Sequence, residues 1–174
     1  MKNIPNILTT LRILLVPFIP IFYFNNKTHL ALLIYLIAGI TDILDGYLAR
    51  KYNAISKFGS ALDPFADKLM LITVLITLTI DKQIPILIVI IVSIKESAMI
   101  IVGIFIYIRH DQLIISSNKL GKISSFLFFI AVVETVLLNI EIVNIFLFVI
   151  AFVVAFIAFI TYVHDYMTKK RKKS

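Results

Sequence analysis

No cysteine occurs in the 174 residues, which excludes disulfides, thiol nucleophiles and cysteine-held metals but does not by itself decide a compartment. Charge is scarce as well. Asp, Glu, Lys and Arg make up 16% of the chain against 60% hydrophobic residues, and mean hydropathy is +1.01, well outside the soluble range. The chain therefore reads as an integral membrane protein. Its three histidines, His29, His110 and His164, show no metal-ligand spacing and receive no role. With no internal repeat and no low-complexity linker, residues 1–174 are expected to form a single membrane domain.

Asp and Glu total ten, and four of them stand between Asp42 and Asp67. The stretch reads Asp42-Ile-Leu-Asp45-Gly46-Tyr-Leu-Ala49-Arg50, eight further residues, then Gly59-Ser-Ala-Leu-Asp63-Pro64-Phe-Ala-Asp67-Lys68. On a helix, Asp42 and Asp45 share one face (i, i+3), and Asp63 and Asp67 share one face of the next (i, i+4). Four carboxylates meet if those helices pack side by side. Near the centre of a bilayer each acid costs about 2.5–3.5 kcal/mol, so four cost about 10 kcal/mol unless neutralised. Two divalent cations would cancel the charge. Carboxylate oxygens suit hard ions, and Mg²⁺ completes its shell with substrate phosphates, so a two-metal site for displacement at phosphorus is the natural reading. Ala49 follows Asp45 by one turn and Gly59 precedes Asp63 by one turn; with Gly46 they leave room for a nucleotide. Arg50 adds a planar cationic fork for a diphosphate.

Apolar runs of about 20 residues, each enough to cross about 30 Å of hydrocarbon, divide the chain into six spans. A short interfacial helix, capped by Asn6 and with Ile7, Leu8 and Leu11 on its apolar side, leads into the first at 13–24. The others are expected at 29–50, 59–80, 84–108, 119–138 and 145–164, with turns at 25–28, 81–83 and 139–144. Both acid pairs then lie at the same membrane face. Pro64 should kink or begin its helix. Pro17 and Pro20 interrupt the first apolar run and no small-residue cleavage site follows, so no signal-peptide removal is expected.

Fourteen of the seventeen Lys and Arg fall on one side of this arrangement, in Lys2, Arg12, Arg50, Lys51, Lys57, Lys68, Arg109, Lys119, Lys122 and the tail from Lys169 to Lys173. Lys27 and Lys82 fall on the other. The bias places both termini and the acid cluster on the cytoplasmic side of the cell membrane, where soluble substrates reach them. Because the cations sit at the ends of apolar runs, they indicate membrane topology and anionic lipid headgroups as partners, not nucleic acid. Lys95 and Glu96 fall in mid-span. Adjacent helical residues point about 100° apart, so each is expected to need a partner other than its neighbour. Glu134 is expected to hydrogen-bond between helices. Arg109, Lys119 and Lys122, on the same side as the acids, could hold an anionic acceptor or serve only as a positive-inside loop.

The acid stretch resembles the signature of the CDP-alcohol phosphatidyltransferase family, D-x-x-D-G-x-x-A-R, eight or nine residues, then G-x-x-x-D-x-x-x-D. Asp42, Asp45, Gly46, Ala49, Arg50, Gly59, Asp63 and Asp67 match all eight fixed positions. The resemblance implies an all-α integral membrane protein with six transmembrane helices, a cytoplasm-facing polar cavity, a homodimer and two Mg²⁺ or Mn²⁺ ions. It further implies that Asp42, Asp45, Asp63 and Asp67 ligate metal, that Asp67 is also the catalytic base, and that Gly46, Ala49, Arg50 and Gly59 surround the CDP moiety of CDP-diacylglycerol.

Within the family, Asn3 to Thr9 with Arg12, the Asp63-to-Lys68 segment and Gly121-Lys122 are similar to the bacterial phosphatidylglycerophosphate synthases. That implies glycerol 3-phosphate as acceptor, held by Arg109, Lys119 and Lys122. Lys95 stands where those synthases usually carry Arg, a further Arg of theirs along the fourth span has no counterpart here, and Gly121-Lys122-Ile123-Ser124-Ser125 stands where they carry G-K-x-K-T. The 38–42 and 59–64 segments are also similar to cardiolipin synthases of this family, for which phosphatidylglycerol is the acceptor. An intramembrane prenyltransferase calls for a longer chain, and a cation transporter would place its acids mid-span on discontinuous helices.

Overall fold

The computed structural model describes the backbone of residues 4–51, 57–108 and 119–171 and, within them, the side chains of 7–42, 44, 65–98, 101 and 119–164. Among the described residues every regular element is a helix: α1 (Ile4–Leu15), α2 (Phe18–Phe24), α3 (Thr28–Lys51), α4 (Lys57–Ile80), α5 (Ile86–Ile108), α6 (Lys119–Leu137) and α7 (Glu141–Arg171). They form two compact units, Met1–Lys82 and Gln83–Ser174. By length and composition, Ile7–Phe24, Lys119–Leu137 and Glu141–His164 can cross a membrane, and Thr28–Asp42 is a shorter apolar helix.

In the first unit, α1 and α2 each pack against both α3 and α4. α1 begins at Ile4, before the expected cap at Asn6, with Pro5 in the first turn, where its missing N–H costs no helical bond. The chain breaks at Pro17, and α2 resumes at Phe18. Its end is a Schellman closure: the Asn26 N–H donates to the Tyr23 carbonyl, the Lys27 N–H to the Phe22 carbonyl, and Asn26 takes φ 59°. Lys82 (φ 61°) after α4 and Asn139 (φ 49°) after α6 also take left-handed backbone at expected turns. The Tyr23 hydroxyl donates to Asp81 Oδ2 at 2.7 Å, tying the end of α2 to the end of α4. The turns carrying Lys27 and Lys82 are thereby held at one end of the unit.

The burial pattern of α1 reverses the amphipathic reading of its sequence. Thr9 and Arg12 are buried in the protein, whereas Ile7, Leu11 and Leu14 are exposed. A helix bathed in lipid gains nothing by hiding its apolar side chains, and hydrocarbon has no partner for a threonine or an arginine. Pro64 lies inside α4, which begins seven residues earlier at Lys57.

In the second unit, α6 and α7 form an antiparallel hairpin closed by residues 138–140, and α5 packs against α7. Asn144, Phe148, Ala151, Ala155 and Ala158 make a buried stripe on α7, facing Ser124, Phe128, Ala131, Val132 and Thr135 of α6. The Phe128 and Phe148 rings lie 6.4 Å apart between centroids. Small residues on such a stripe let backbones approach closely, which is where packing energy between membrane helices comes from. Ala155→Phe is therefore expected to cost about 1–3 kcal/mol by overpacking, read as a lowered Tm in detergent.

Two expectations about buried charge are corrected here. Lys95 and Glu96 do pair, with Lys95 Nζ 2.7 Å from Glu96 Oε1, because the long lysine stem bends around the helix despite the angle between their Cβ atoms. Glu134 does not hydrogen-bond between helices: both carboxylate oxygens are buried without a hydrogen-bond partner among the described residues. Asn144, as far beyond the turn residue Asn139 as Glu134 is before it, donates its amide to Asn139 Oδ1 instead.

Candidate metal and nucleotide site

The acid motif occupies the end of α3 and the start of α4, which residues 52–56 connect in the sequence. Asp45 lies six residues from Lys51 and Asp63 six from Lys57, so each stands about 9 Å along its helix from the connection. Asp42 and Asp67, at nine and ten residues, stand about 14–15 Å along. Counted along the helices from the connection, the i, i+3 pair on α3 and the i, i+4 pair on α4 thus stand at matching distances. Gly46, Ala49 and Arg50 extend the motif toward the end of α3, and Gly59 lies in the first turn of α4.

Side-chain geometry is described for Asp42 and Asp67. Asp42 Oδ1 accepts from Arg12 Nη1 on α1 at 2.6 Å; the arginine side chain is wholly buried while the carboxylate stays 38% exposed. Asp67 keeps 31% exposure, with Lys68 Nζ 3.4 Å from its Oδ2. Ala38, one turn before Asp42, and Ala66, next to Asp67, are buried small residues on α3 and α4. Tyr35, buried and two turns before Asp42 on the same face of α3, lies within electrostatic reach of the Asp67 carboxylate.

Among the described residues no three carboxylate or imidazole side chains cluster, since those of Asp45 and Asp63 fall outside that set. The donor chemistry nevertheless fits a hard divalent ion. Four aspartates provide oxygen ligands only, and the two described ones remain partly exposed beside Arg12 and Lys68.

Two of the three expected acceptor cations fall among the described residues. Lys119 and Lys122 are exposed in the first turn of α6, where Gly121 leaves open space at its Cα and its carbonyl accepts from Ser124 Oγ at 2.8 Å. Arg109 lies outside the described residues. Sequence reasoning assigned Arg12 to topology and missed its contact with Asp42. The available signal was Thr9 and Arg12, one turn apart, forming a polar stripe on a helix next to an apolar run.

The chain belongs to the CDP-alcohol phosphatidyltransferase family, whose model matches residues 2–164, across both units. It is similar to proteins named CDP-diacylglycerol–glycerol-3-phosphate 3-phosphatidyltransferase. One from Rickettsia typhi is 49% identical over 81 residues, 45% of this chain and 46% of the relative. Another from Haemophilus influenzae is 44% identical over 79 residues, covering 44% and 43% respectively. A third, from Cereibacter sphaeroides, is 44% identical over 81 residues, covering 44% and 37%. The matched stretch spans less than half the length of each of these curated relatives. Family and apolar helices together indicate a membrane protein.

Proposed function

We propose that the protein transfers the phosphatidyl group of CDP-diacylglycerol to glycerol 3-phosphate, giving phosphatidylglycerophosphate and CMP. The observation that supports this reading is the eight-position motif set at matching distances along α3 and α4 from their connection, with the Asp42 and Asp67 carboxylates both partly exposed. The printed names of the relatives favour glycerol 3-phosphate over phosphatidylglycerol as the acceptor.

Asp42, Asp45, Asp63 and Asp67 would hold two Mg²⁺ or Mn²⁺ ions. When bound, such ions supply charge neutralisation at the diphosphate and on the departing CMP. Gly46, Ala49 and Gly59 present no side chain beyond a methyl group and admit the nucleotide, and Arg50 binds its diphosphate through two parallel N–H donors. An acceptor hydroxyl attacks the lipid-bearing phosphorus in line; the new O–P bond forms as the bond to the CMP oxygen breaks. Asp67 accepts the hydroxyl proton, a role its partial exposure permits. Arg109, Lys119 and Lys122 hold the phosphate of the acceptor. The chain acts as one domain in the cell membrane, with six spans, the N-terminal helix at the interface, and the site and both termini cytoplasmic. It functions as a homodimer.

The test is CMP release from CDP-diacylglycerol by purified protein with Mg²⁺, with glycerol 3-phosphate and phosphatidylglycerol offered separately. Release with glycerol 3-phosphate alone is expected. Release with phosphatidylglycerol alone makes the protein a cardiolipin synthase, and release with neither acceptor overturns the reaction class.

A further inference from the structure

We infer that Arg12 is a positioning residue for the metal site: from inside the protein it holds one oxygen of Asp42 so that the carboxylate presents its open side to a divalent ion. The inference rests on the metal-ligand role proposed above for Asp42. Two observations and one general argument carry it. The pair is asymmetric in burial, with the arginine side chain at 0% exposure and the carboxylate at 38%. A contact made only to fasten α1 to α3 has no reason to leave half of itself open, whereas a cation standing behind a ligand must do so. An ion pair inside a protein is on average no more stabilising than apolar residues of the same volume, so fastening two helices does not by itself call for one. Finally, Arg12 shares a buried stripe of α1 with Thr9, on a helix that packs against both acid-bearing helices. The first helix is thereby built into the wall of the site.

Chemically, the guanidinium restrains rotation of the Asp42 carboxyl and fixes which oxygen faces outward. Partners that orient metal ligands in this way cost about 10–100-fold in metal affinity or activity when removed. Arginine suits the position because its fork is planar and permanently charged; lysine keeps the charge but supplies no fixed plane.

The experiment measures Mn²⁺ binding by electron paramagnetic resonance on detergent-purified protein without substrate. Wild type, Arg12→Lys, Arg12→Gln, Asp42→Asn and the Arg12→Gln/Asp42→Asn double variant are compared, with elution profile and Tm recorded alongside. Arg12→Gln is expected to weaken Mn²⁺ binding about 10–100-fold, with Arg12→Lys intermediate. In the Asp42→Asn background, Arg12→Gln should add no further loss, since it acts through that carboxylate. Binding within about two-fold of wild type in both Arg12 variants overturns the inference, whatever their Tm, and leaves the arginine as a fastening between helices. Should Arg12→Gln fail to fold, Arg12→Lys decides alone: weakened binding with a normal elution profile supports the role, and unchanged binding overturns it. Wild-type protein that takes up no Mn²⁺ overturns the metal-site reading itself, an outcome distinct from either.

Discussion

Asp67→Asn is expected to remove CMP release almost completely while the protein elutes and melts as wild type does, and Asp63→Asn to do the same. Asparagine matches aspartate in shape but carries no charge and cannot accept the acceptor's proton. At position 67 loss of the base alone is worth about 10²–10⁴-fold, and loss of a metal ligand adds to it. Little stability is at stake. The contact between Asp67 and Lys68 is long and partly exposed, and such pairs contribute little. Four carboxylates gathered as proposed would also repel one another before metal binds, so removing one relieves strain. Adding Mn²⁺ should raise the Tm of wild-type protein by mass action, about 2.7 kcal/mol at a hundred times Kd, and raise that of either variant less. Near-normal CMP release by both variants would sink the assigned mechanism.

The parts of the fold governed by local chemistry were readable from the chain. Apolar runs marked α3 to α6 to within a few residues, and Asn26, Lys82 and Asn139 fall in turns expected from polar clusters. Helix ends were less readable where hydropathy was the only guide. α7 starts at Glu141 rather than after Asn144, because the turn needs only residues 138–140 and Asn144 is buried on the helix itself. The acid motif was readable because its spacing follows the helix period, which needs no tertiary information.

The partner of Asp42 was not readable, and the reason is environmental. An amphipathic pattern says which residues share a face but not which face meets protein. In water the apolar face turns inward; among lipids Ile7, Leu11 and Leu14 can face out and Arg12 must face in. Sequence spacing likewise says where Cβ atoms point, whereas a lysine carries its charge several bonds further, which is how Lys95 reaches the residue beside it.

That neighbouring pair yields the second large effect. Lys95→Met is expected to destabilise the protein by about 3–5 kcal/mol, because Glu96, at 1% side-chain exposure, loses the ammonium group 2.7 Å away and keeps its own buried charge. Glu96→Leu alone strands the lysine but costs less: the longer side chain, 10% exposed, has a stem that can carry its charge toward a polar surface. Replacing both, as Lys95→Met/Glu96→Leu, removes two desolvated charges together and should return the Tm to near that of wild type. The non-additivity is the informative quantity, since it isolates the coupling between the two side chains from whatever else each touches. CMP release by the double variant then separates two roles for the pair. A double variant that is both stable and active shows the pair to be a structural feature of α5, while one that is stable but has a raised KM for glycerol 3-phosphate puts Lys95 at the acceptor.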